Sequence, residues 1–236
     1  MKQSSPSSIS IIIPVLNEEN HIGRLLSYLN KTASHNNVIE ILVVDGGSKD
    51  QTVQVAKTGG AKVLHSPKGR AVQMNHGAHY AKGEIFYFLH ADTVPPQQFD
   101  TYILDAFSEG FKAGCFRMKF DSNSRFLKFF AFLSRVNHRV CRGGDQSLYI
   151  TKKLFRQSKG FNEDYIIYED TEFIGRLYKM TNFKVLAPKV ITSARKYEQK
   201  GAFTLQYHFG VIHLKNLFGA GPDQLYHYYK RKISTR

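Results

Sequence analysis

Acidic side chains follow three short apolar runs near the start of the chain. These runs, which are typical of buried strands, are 9–15, 39–44 and 85–89. The acids that follow them are Glu19, Asp45 and Asp92. Because ligands bind outside the carboxyl ends of strands in an open α/β sheet, carboxylates there can hold a metal ion or accept hydrogen bonds from a ribose or a base. Taken alone, Asp92 could instead begin a turn, but the repeated pattern favours a ligand site.

A further acidic motif lies at 168–172, which reads Tyr-Glu-Asp-Thr-Glu at the start of a predicted helix over 169–180. Carboxylates are favourable in the first turn of a helix because of its dipole, so Glu169 and Asp170 need no other role. A carboxylate can also act as a general base when a substrate hydroxyl comes within hydrogen-bond reach. The residues alone leave both interpretations open.

Glycines accompany two of these motifs. Gly46 and Gly47 follow Asp45 and let the backbone approach a ligand closely. Residues 143–146, Gly-Gly-Asp-Gln, could bring a loop to a ligand or form a turn before a strand. The dinucleotide-binding pattern G-x-G-x-x-G is missing after the first strand, where 14–19 contains two acids instead, and the P-loop pattern is missing too. Binding of NAD is therefore disfavoured.

Strands and helices alternate over the first 90 residues. Apolar runs predict strands at 9–15, 39–44, 61–65 and 84–89, and the third intervening helix is expected over 70–82, ended by Gly83. Later, Pro188 interrupts the run 183–190, which predicts an edge strand. The sequence therefore predicts an α/β fold, a mostly parallel central sheet flanked by helices, with a helical C-terminal tail.

Length and charge limit the possible functions. The chain has 236 residues, of which 42% are apolar, so it can bury one substantial core. Its 33 Lys and Arg against 19 Asp and Glu give a net charge of +14, which favours anionic partners such as nucleotides, nucleic acid or acidic membrane surfaces. Cys115 and Cys141 lack the spacing of a zinc site or redox pair, which favours a reducing, cytoplasmic compartment.

Three segments together resemble the family 2 glycosyltransferases of the GT-A (Rossmann-like) fold. They are 11–19 (Ile-Ile-Ile-Pro-Val-Leu-Asn-Glu-Glu), 43–52 (Val-Val-Asp-Gly-Gly-Ser-Lys-Asp-Gln-Thr) and 69–75 (Gly-Arg-Ala-Val-Gln-Met-Asn). The resemblance covers about residues 9–192. Residues 90–93, His-Ala-Asp-Thr, are similar to the metal motif of a small single-domain subgroup whose acceptors are poorly defined.

The resemblance implies a nucleotide pocket built from the first part of the chain. It implies that Pro14, Asn17 and Glu19 line this pocket. It also implies that Asp45 holds the base or ribose of a nucleotide sugar, and that Arg70 lies near the nucleotide.

The resemblance further implies a divalent cation, Mn²⁺ or Mg²⁺. The family signature is Asp-x-Asp, and His90 replaces its first acid here, which leaves Asp92 as the expected ligand. Since such cations accept waters and donor phosphates as further ligands, one carboxylate can suffice. We expect His90 to contact the ribose or to orient Asp92. Arg195 would bind the diphosphate; the alternative is that it is a solvated charge.

For 168–172 the resemblance favours catalysis. Asp170 would take the proton from an acceptor hydroxyl as that oxygen attacks the anomeric carbon with inversion, and Glu169 would orient or replace it. The metal would offset charge on the diphosphate leaving group. Processive synthases of the family carry a Gln-x-x-Arg-Trp motif, and this chain has no Trp. We therefore expect transfer of a single sugar from a UDP-sugar to an acceptor hydroxyl that the sequence does not identify.

The resemblance also suggests a division of the chain. We expect a catalytic, nucleotide-sugar-binding domain over 1–192 and a C-terminal extension over 193–236. Residues 195–236 hold eight Lys or Arg and two acids, together with many apolar residues. This tail is expected to pack on the main domain, and the aromatic segment 126–133 is expected to pack in the core. The alternative is contact with an anionic membrane surface, where the two segments could receive a lipid-linked acceptor. No apolar stretch reaches the roughly 18 residues of a membrane span.

Three other functions remain as alternatives. A nucleotidyltransferase shares the α/β nucleotide pocket and metal carboxylates, but would carry a Gly-rich, basic loop after the first strand. A nucleic-acid-binding protein would explain the charge and the 13 tyrosines by phosphate contacts and stacking, but no nucleic-acid module motif is visible, so we expect no nucleic-acid partner. A catalytically inactive sensor of nucleotide sugars is the third.

Overall fold

The computed structural model describes residues 8–234, which form an eight-stranded sheet with helices on both faces. The strands are β1 (Ile9–Val15), β2 (Val38–Asp45), β3 (Lys62–His65), β4 (Ile85–Phe88), β5 (Thr93–Val94), β6 (Ala113–Phe120), β7 (Leu148–Thr151) and β8 (Phe183–Thr192). Their order across the sheet is β3-β2-β1-β4-β7-β6-β8-β5. The helices are α1 (Glu19–Thr32), α2 (Thr52–Thr58), α3 (Arg70–Tyr80), α4 (Phe99–Ser108), α5 (Arg125–Leu133), α6 (Lys152–Gln157), α7 (Glu169–Met180), α8 (Arg195–Lys200), α9 (Ala202–Leu217) and α10 (Pro222–Tyr229).

The first half of the sheet is parallel because its strands are covered on both faces. All seven residues of β1 are buried. Ile11 belongs to the same core cluster as Leu25 of α1, whereas its neighbour Ile12 belongs to the cluster of Met74 of α3. β1 pairs in parallel with β2 and β4, and β2 pairs in parallel with β3. The predicted α/β fold with a mostly parallel, helix-flanked sheet is confirmed.

The second half of the sheet is mixed. β7 is antiparallel to both β4 and β6, while β6 and β8 run parallel. The prediction that Pro188 marks an edge is confirmed for the run 183–190: β5 is the outermost strand, but it pairs only with Ile191 and Thr192, so among the described residues β6 is the one strand paired with the rest of β8. Pro188 is tolerated because the register shifts there, with Leu186 paired to Phe116 and Lys189 to Arg117.

Gly83 has a different role from the predicted helix end. α3 ends at Tyr80, and the Ala81 N–H donates to the Gly77 carbonyl at 3.0 Å. A Cβ atom at Gly83 would lie 2.6 Å from the backbone nitrogen of Ser10, so the close approach of this turn to β1 requires glycine.

The residues after β8 pack against the segment that leads into α7. Leu205 and Ile212 of α9 form a core cluster with Leu225 of α10 and Ile233, which lies in the π-helical turn Lys230–Ser234. Partly buried side chains of the segment 165–168 pack against this cluster. Within the described part of the chain, no helix combines the length and apolarity needed to cross a membrane.

Candidate active site

The predicted site residues of the first half lie at one edge of the sheet. Asp45, the last residue of β2, is paired with Val15 of β1. Phe88, the last residue of β4, is paired with Ile12, so the segment 90–92 leaves the sheet at the same carboxyl edge. Since β1 alone separates β2 from β4, the two strands lie about 9–10 Å apart across the sheet.

Two adjacent carboxylates are buried beside this edge at the first turn of α7. Glu169 is 1% exposed and Asp170 is 8% exposed. Arg70, the first residue of α3, places Nε 2.7 Å from Oε1 of Glu169. Both carboxylate oxygens of Glu169 are buried and neither has a hydrogen-bond partner among residues 8–234, so the contact with Arg70 is an ion pair without hydrogen-bond geometry. The structure thus joins the starts of α3 and α7 by an ion pair that leaves the hydrogen-bonding capacity of the Glu169 carboxylate unused.

Burial controls the protonation of this cluster. It raises the pKa of Asp170 to about 6, although the Arg70 guanidinium opposes the shift and Asp145 adds to it. Burial likewise raises the pKa of Glu169 against the opposing effect of Arg70. In return, the Glu169 carboxylate raises the pKa of Arg70. Asp170 is therefore a more basic carboxylate than an exposed aspartate and is still mainly ionised at neutral pH.

His90, two residues beyond the end of β4, lies next to Asp170. Its Nε2 lies 3.6 Å from Oδ2 of Asp170. Burial and the neighbouring Arg70 lower the pKa of His90, while the charges of Asp92, Asp145 and Glu169 oppose that effect. A neutral imidazole results, which can donate or accept one hydrogen bond at this position.

Gly144 allows His90 and Asp170 to approach the loop before β7. A Cβ atom at Gly144 would overlap with the Asp170 carboxylate and would lie 2.8 Å from Cε1 of His90. At the preceding Gly143, an added Cβ would meet nothing within 4 Å. The segment 143–146, for which the sequence allowed either a turn or a functional loop, therefore contacts the acidic cluster directly.

Asp92 lies two residues beyond His90 and is partly exposed. Within residues 8–234, no three His, Cys, Asp or Glu side chains are grouped closely enough to hold a metal ion by themselves. The residues therefore do not fit a metal bound by protein alone. They do fit a hard divalent cation that takes Asp92 as one oxygen ligand and completes its coordination with water and diphosphate oxygens.

Asp45 is engaged with the loop that follows it. Its Oδ2 accepts a hydrogen bond from the Gly47 N–H at 3.1 Å, and its Oδ1 accepts one from the Ser48 N–H at 3.1 Å. Nδ1 of His65, on the neighbouring strand, lies 3.5 Å from Oδ2. Asp45 is 3% exposed, so it shapes the loop as well as offering its remaining acceptor capacity to a ligand.

Asn17 and Glu19 hold the same loop from the other side. Oδ1 of Asn17 accepts a hydrogen bond from the Lys49 N–H at 2.8 Å, and Oε2 of Glu19 accepts one from the Gln51 N–H at 2.8 Å. Pro14 is buried within β1, level with Val44 of β2. In this structure Asn17 and Glu19 thus fix the shape of the loop at the predicted nucleotide pocket.

Arg195 is paired with a carboxylate outside the acidic cluster. It begins α8, and its Nη2 is 3.7 Å from Oε1 of Glu18, just before α1. Arg70, His90, Glu169 and Asp170 are thus in mutual proximity, whereas Arg195 is paired near the loop that holds Asn17.

Sequence reasoning missed Gln73, which ties α3 to the sheet edge. Its buried Nε2 donates hydrogen bonds to the carbonyls of Val15 at 2.8 Å and Val44 at 2.7 Å. Gly46 packs on this side chain, because an added Cβ would lie 3.0 Å from it. A polar residue on the apolar side of a predicted helix was the available signal, since buried polar groups are almost always hydrogen-bonded.

The model of the family described as "Glycosyl transferase family 2" matches residues 10–180. The chain therefore belongs to glycosyl transferase family 2, as its sequence motifs indicated. An uncharacterized glycosyltransferase of Rickettsia typhi is 38% identical over 109 residues, which cover 44% of this chain and 33% of the relative. The chain spans about a third or less of the length of the first curated relatives that it matches.

Solved structures share the fold. A mannosyltransferase from Pyrobaculum calidifontis, solved with GDP-Man and Mn²⁺, aligns with a TM-score of 0.69 at 16% identity, over 97% of this chain and 68% of that chain. Glucosyl-3-phosphoglycerate synthase from Mycobacterium tuberculosis, solved with Mn²⁺, UDP and glucosyl-3-phosphoglycerate, aligns with a TM-score of 0.61 at 17% identity, over 78% of this chain and 70% of that chain. The predicted GT-A fold is confirmed.

Gly144→Ala tests the contact between the loop and the acidic cluster. The added methyl group overlaps the Asp170 carboxylate, so we expect a loss of about 1–3 kcal/mol in the free energy of unfolding. Gly143→Ala is the matched control and should change stability by less than about 1 kcal/mol, because its methyl group meets no neighbour. Urea unfolding measures both. Equal effects of the two substitutions would contradict the contact.

Asp170→Asn tests the burial of the carboxylate. Because the folded-state pKa of about 6 exceeds the unfolded value of about 3.9, the folded protein binds more protons between these values, and this group's contribution to stability falls as pH rises through about 4 to 6. The variant should therefore be more stable than the wild type at pH 7, by up to about 3 kcal/mol, with a smaller gain at pH 5. Thermal unfolding at both pH values measures the difference. Asp164→Asn, at an exposed site, should change neither, and a destabilised Asp170→Asn at pH 7 would contradict the assignment.

Proposed function

We propose that this chain transfers a single sugar, with inversion, from a nucleoside diphosphate sugar to an acceptor hydroxyl, and that the reaction requires a divalent metal ion. The observation that carries the proposal is the buried Asp170, whose pKa is about 6, beside Arg70 and His90 at the sheet edge that also carries Asp92. An ionised carboxylate of raised basicity suits a general base. Membership of glycosyl transferase family 2 supports the reaction class.

The donor would lie along the carboxyl edge of β2, β1 and β4. Asp45 and its loop would hold the nucleoside at one end, and Asp92 would hold Mn²⁺ or Mg²⁺ with the diphosphate about two strand spacings away. The metal, when bound, would neutralise negative charge on the diphosphate as it leaves. The Arg70 guanidinium lies near the same edge and would stabilise negative charge on the leaving diphosphate, either while it is paired with Glu169 or after the diphosphate has replaced that carboxylate as its partner.

Asp170 and Glu169 would have different roles in the transfer. Oδ of Asp170 would accept the proton of the acceptor hydroxyl while that oxygen forms its bond to the anomeric carbon, and the bond from this carbon to the diphosphate oxygen would break. His90, at 3.6 Å, would orient Asp170. The unpartnered Oε2 of Glu169 could accept a hydrogen bond from a sugar hydroxyl, which would satisfy the buried atom.

A UDP-sugar is the proposed donor, and the solved relatives support only the wider class. The Mycobacterium tuberculosis synthase was solved with UDP and Mn²⁺, whereas the Pyrobaculum calidifontis enzyme was solved with GDP-Man and Mn²⁺. Membership of the small single-domain subgroup with the His-Ala-Asp-Thr metal motif is also part of the proposal. Family membership disfavours the nucleotidyltransferase and nucleic-acid-binding alternatives, since neither class belongs to this family.

A thermal-shift panel of UDP-, GDP- and dTDP-sugars with and without Mn²⁺ tests the donor and the metal. At a donor concentration of about 100 Kd, binding to the folded state adds about 2.7 kcal/mol, and we expect Tm to rise by about 5–10 °C with the UDP-sugar and Mn²⁺ together. The increase should be lost in Asp92→Asn and kept in the control Asp105→Asn, which alters an exposed carboxylate on α4. A shift that needs no cation, or that survives in Asp92→Asn, would show that the metal assignment is wrong.

Release of UDP from the donor, with water as the acceptor, tests the base without knowledge of the natural acceptor. Asp170→Asn should lower kcat by about 10²–10⁴-fold while donor-dependent thermal stabilisation is retained. In the wild type, kcat should fall as pH drops through about 6, because protonated Asp170 cannot accept a proton. Asp164→Asn is the control and should turn over normally. Full turnover by Asp170→Asn would exclude it as the base.

A further inference from the structure

Large apolar side chains are exposed on two helices of the second half of the chain. On α5 they are Phe129, 59% exposed, and Phe132, 56% exposed. On α9 and the residue after it they are Phe203, Tyr207, Leu214, Leu217 and Phe218, which are 55–85% exposed. These seven side chains define the α5–α9 face. Most large apolar side chains in folded proteins are at least partly buried, so such a concentration marks an interaction surface.

The two helices form one continuous surface. The rings of Phe126 on α5 and Phe203 on α9 lie 4.0 Å apart between centroids. Phe126 also contacts Phe130, at 4.9 Å, which continues the aromatic layer along α5. The exposed apolar residues of α9 and Phe218 follow one another at intervals of four, seven, three and one, which places them within about 100° of each other around the helix axis and so on one side of it.

The charge around this surface has one sign. Neither residues 122–142 nor residues 199–222 contain an Asp or a Glu. Arg125, Lys128 and Arg135 are exposed on or next to α5. The guanidinium of Arg135 lies 4.9 Å from the centre of the Phe132 ring. Apolar side chains flanked by cations are the pattern of helices that lie in the headgroup region of an anionic bilayer.

We propose that the α5–α9 face binds the surface of a bilayer that contains anionic lipids. The aromatic side chains would enter the boundary between headgroups and acyl chains, and Arg125, Lys128 and Arg135 would contact lipid phosphates. A second copy of the chain fits this face less well. A twofold contact would bring the same cations against each other without an acidic partner on the face.

The face is connected to the acidic cluster on both sides. The hydroxyl of Tyr168, the residue before Glu169, is 2.8 Å from Nδ1 of His213 on α9. The chain that leaves α5 continues to Gly144, which packs against Asp170. Bilayer binding would therefore hold the acid pair near the lipid surface, where an acceptor hydroxyl carried by an amphipathic lipid could reach it. This last step rests on the proposed function, whereas the binding itself does not.

Vesicle flotation without donor or acceptor tests the binding. The full chain should float with vesicles of mixed phosphatidylcholine and phosphatidylglycerol, but not with phosphatidylcholine alone, and high salt should weaken the binding. The double variants Phe129→Ser/Phe132→Ser and Phe203→Ser/Tyr207→Ser should each lower the partition coefficient about tenfold or more. The control Ile39→Ser/Met180→Ser removes side chains of similar exposure, 47% and 46%, at the start of β2 and the end of α7, and should bind as the wild type does.

A second set of variants tests the charges. Arg125→Glu/Lys128→Glu should abolish binding to the anionic vesicles, and Lys57→Glu/Lys62→Glu, at exposed sites on α2 and β3, should retain it. Thermal unfolding checks that each variant is folded, and donor-dependent stabilisation reports separately on the proposed function. Absence of flotation with anionic vesicles would overturn the proposal, as would equal flotation of the face variants and their controls. Loss of a wild-type dimer in the face variants, without any vesicle binding, would assign the face to self-association.

Discussion

The ion pair between Arg70 and Glu169 is the constraint on which the candidate site depends. Both residues begin helices, α3 and α7, whose N-termini favour negative charge. The charge of Glu169 is therefore favourable at its position. The charge of Arg70 is unfavourable at the start of α3 unless a carboxylate lies next to the guanidinium. Removing either partner would leave a buried or misplaced charge, which is far more costly than the net gain from forming the pair. The pair thus fixes two helix starts against the same sheet edge.

Burial next to this pair determines the chemistry of Asp170. The same exclusion of water that raises its pKa strengthens its interaction with Arg70, since charges interact more strongly in a less polar environment. Gly144 contributes by its lack of a side chain, because any Cβ would occupy the space of the Asp170 carboxylate. An ionised carboxylate at this buried position lowers the stability of the folded protein. Shifted pKa values of this kind are common at functional sites.

The sequence was informative where structure is set locally. The β-branched run 9–15 and its successors predicted the parallel half of the sheet, and the acids of 168–172 marked the first turn of α7. It did not predict the antiparallel insertion of β7, the bulge at Pro188 or the bonds of Gln73, because these depend on neighbours that are distant in the chain. The pairing of Arg70 with Glu169 spans 99 residues, and no local pattern encodes it.

Crystals soaked with UDP and Mn²⁺ and measured at the manganese absorption edge test most directly whether the metal and the nucleotide share one site at this sheet edge. We predict an anomalous peak at bonding distance from the Asp92 carboxylate, with diphosphate oxygens as further ligands and the uridine beside Asp45. Asp170 should lie on the open side of that metal, facing the position of the sugar. A manganese or uridine position away from the carboxyl edge of β2, β1 and β4 would contradict the shared site.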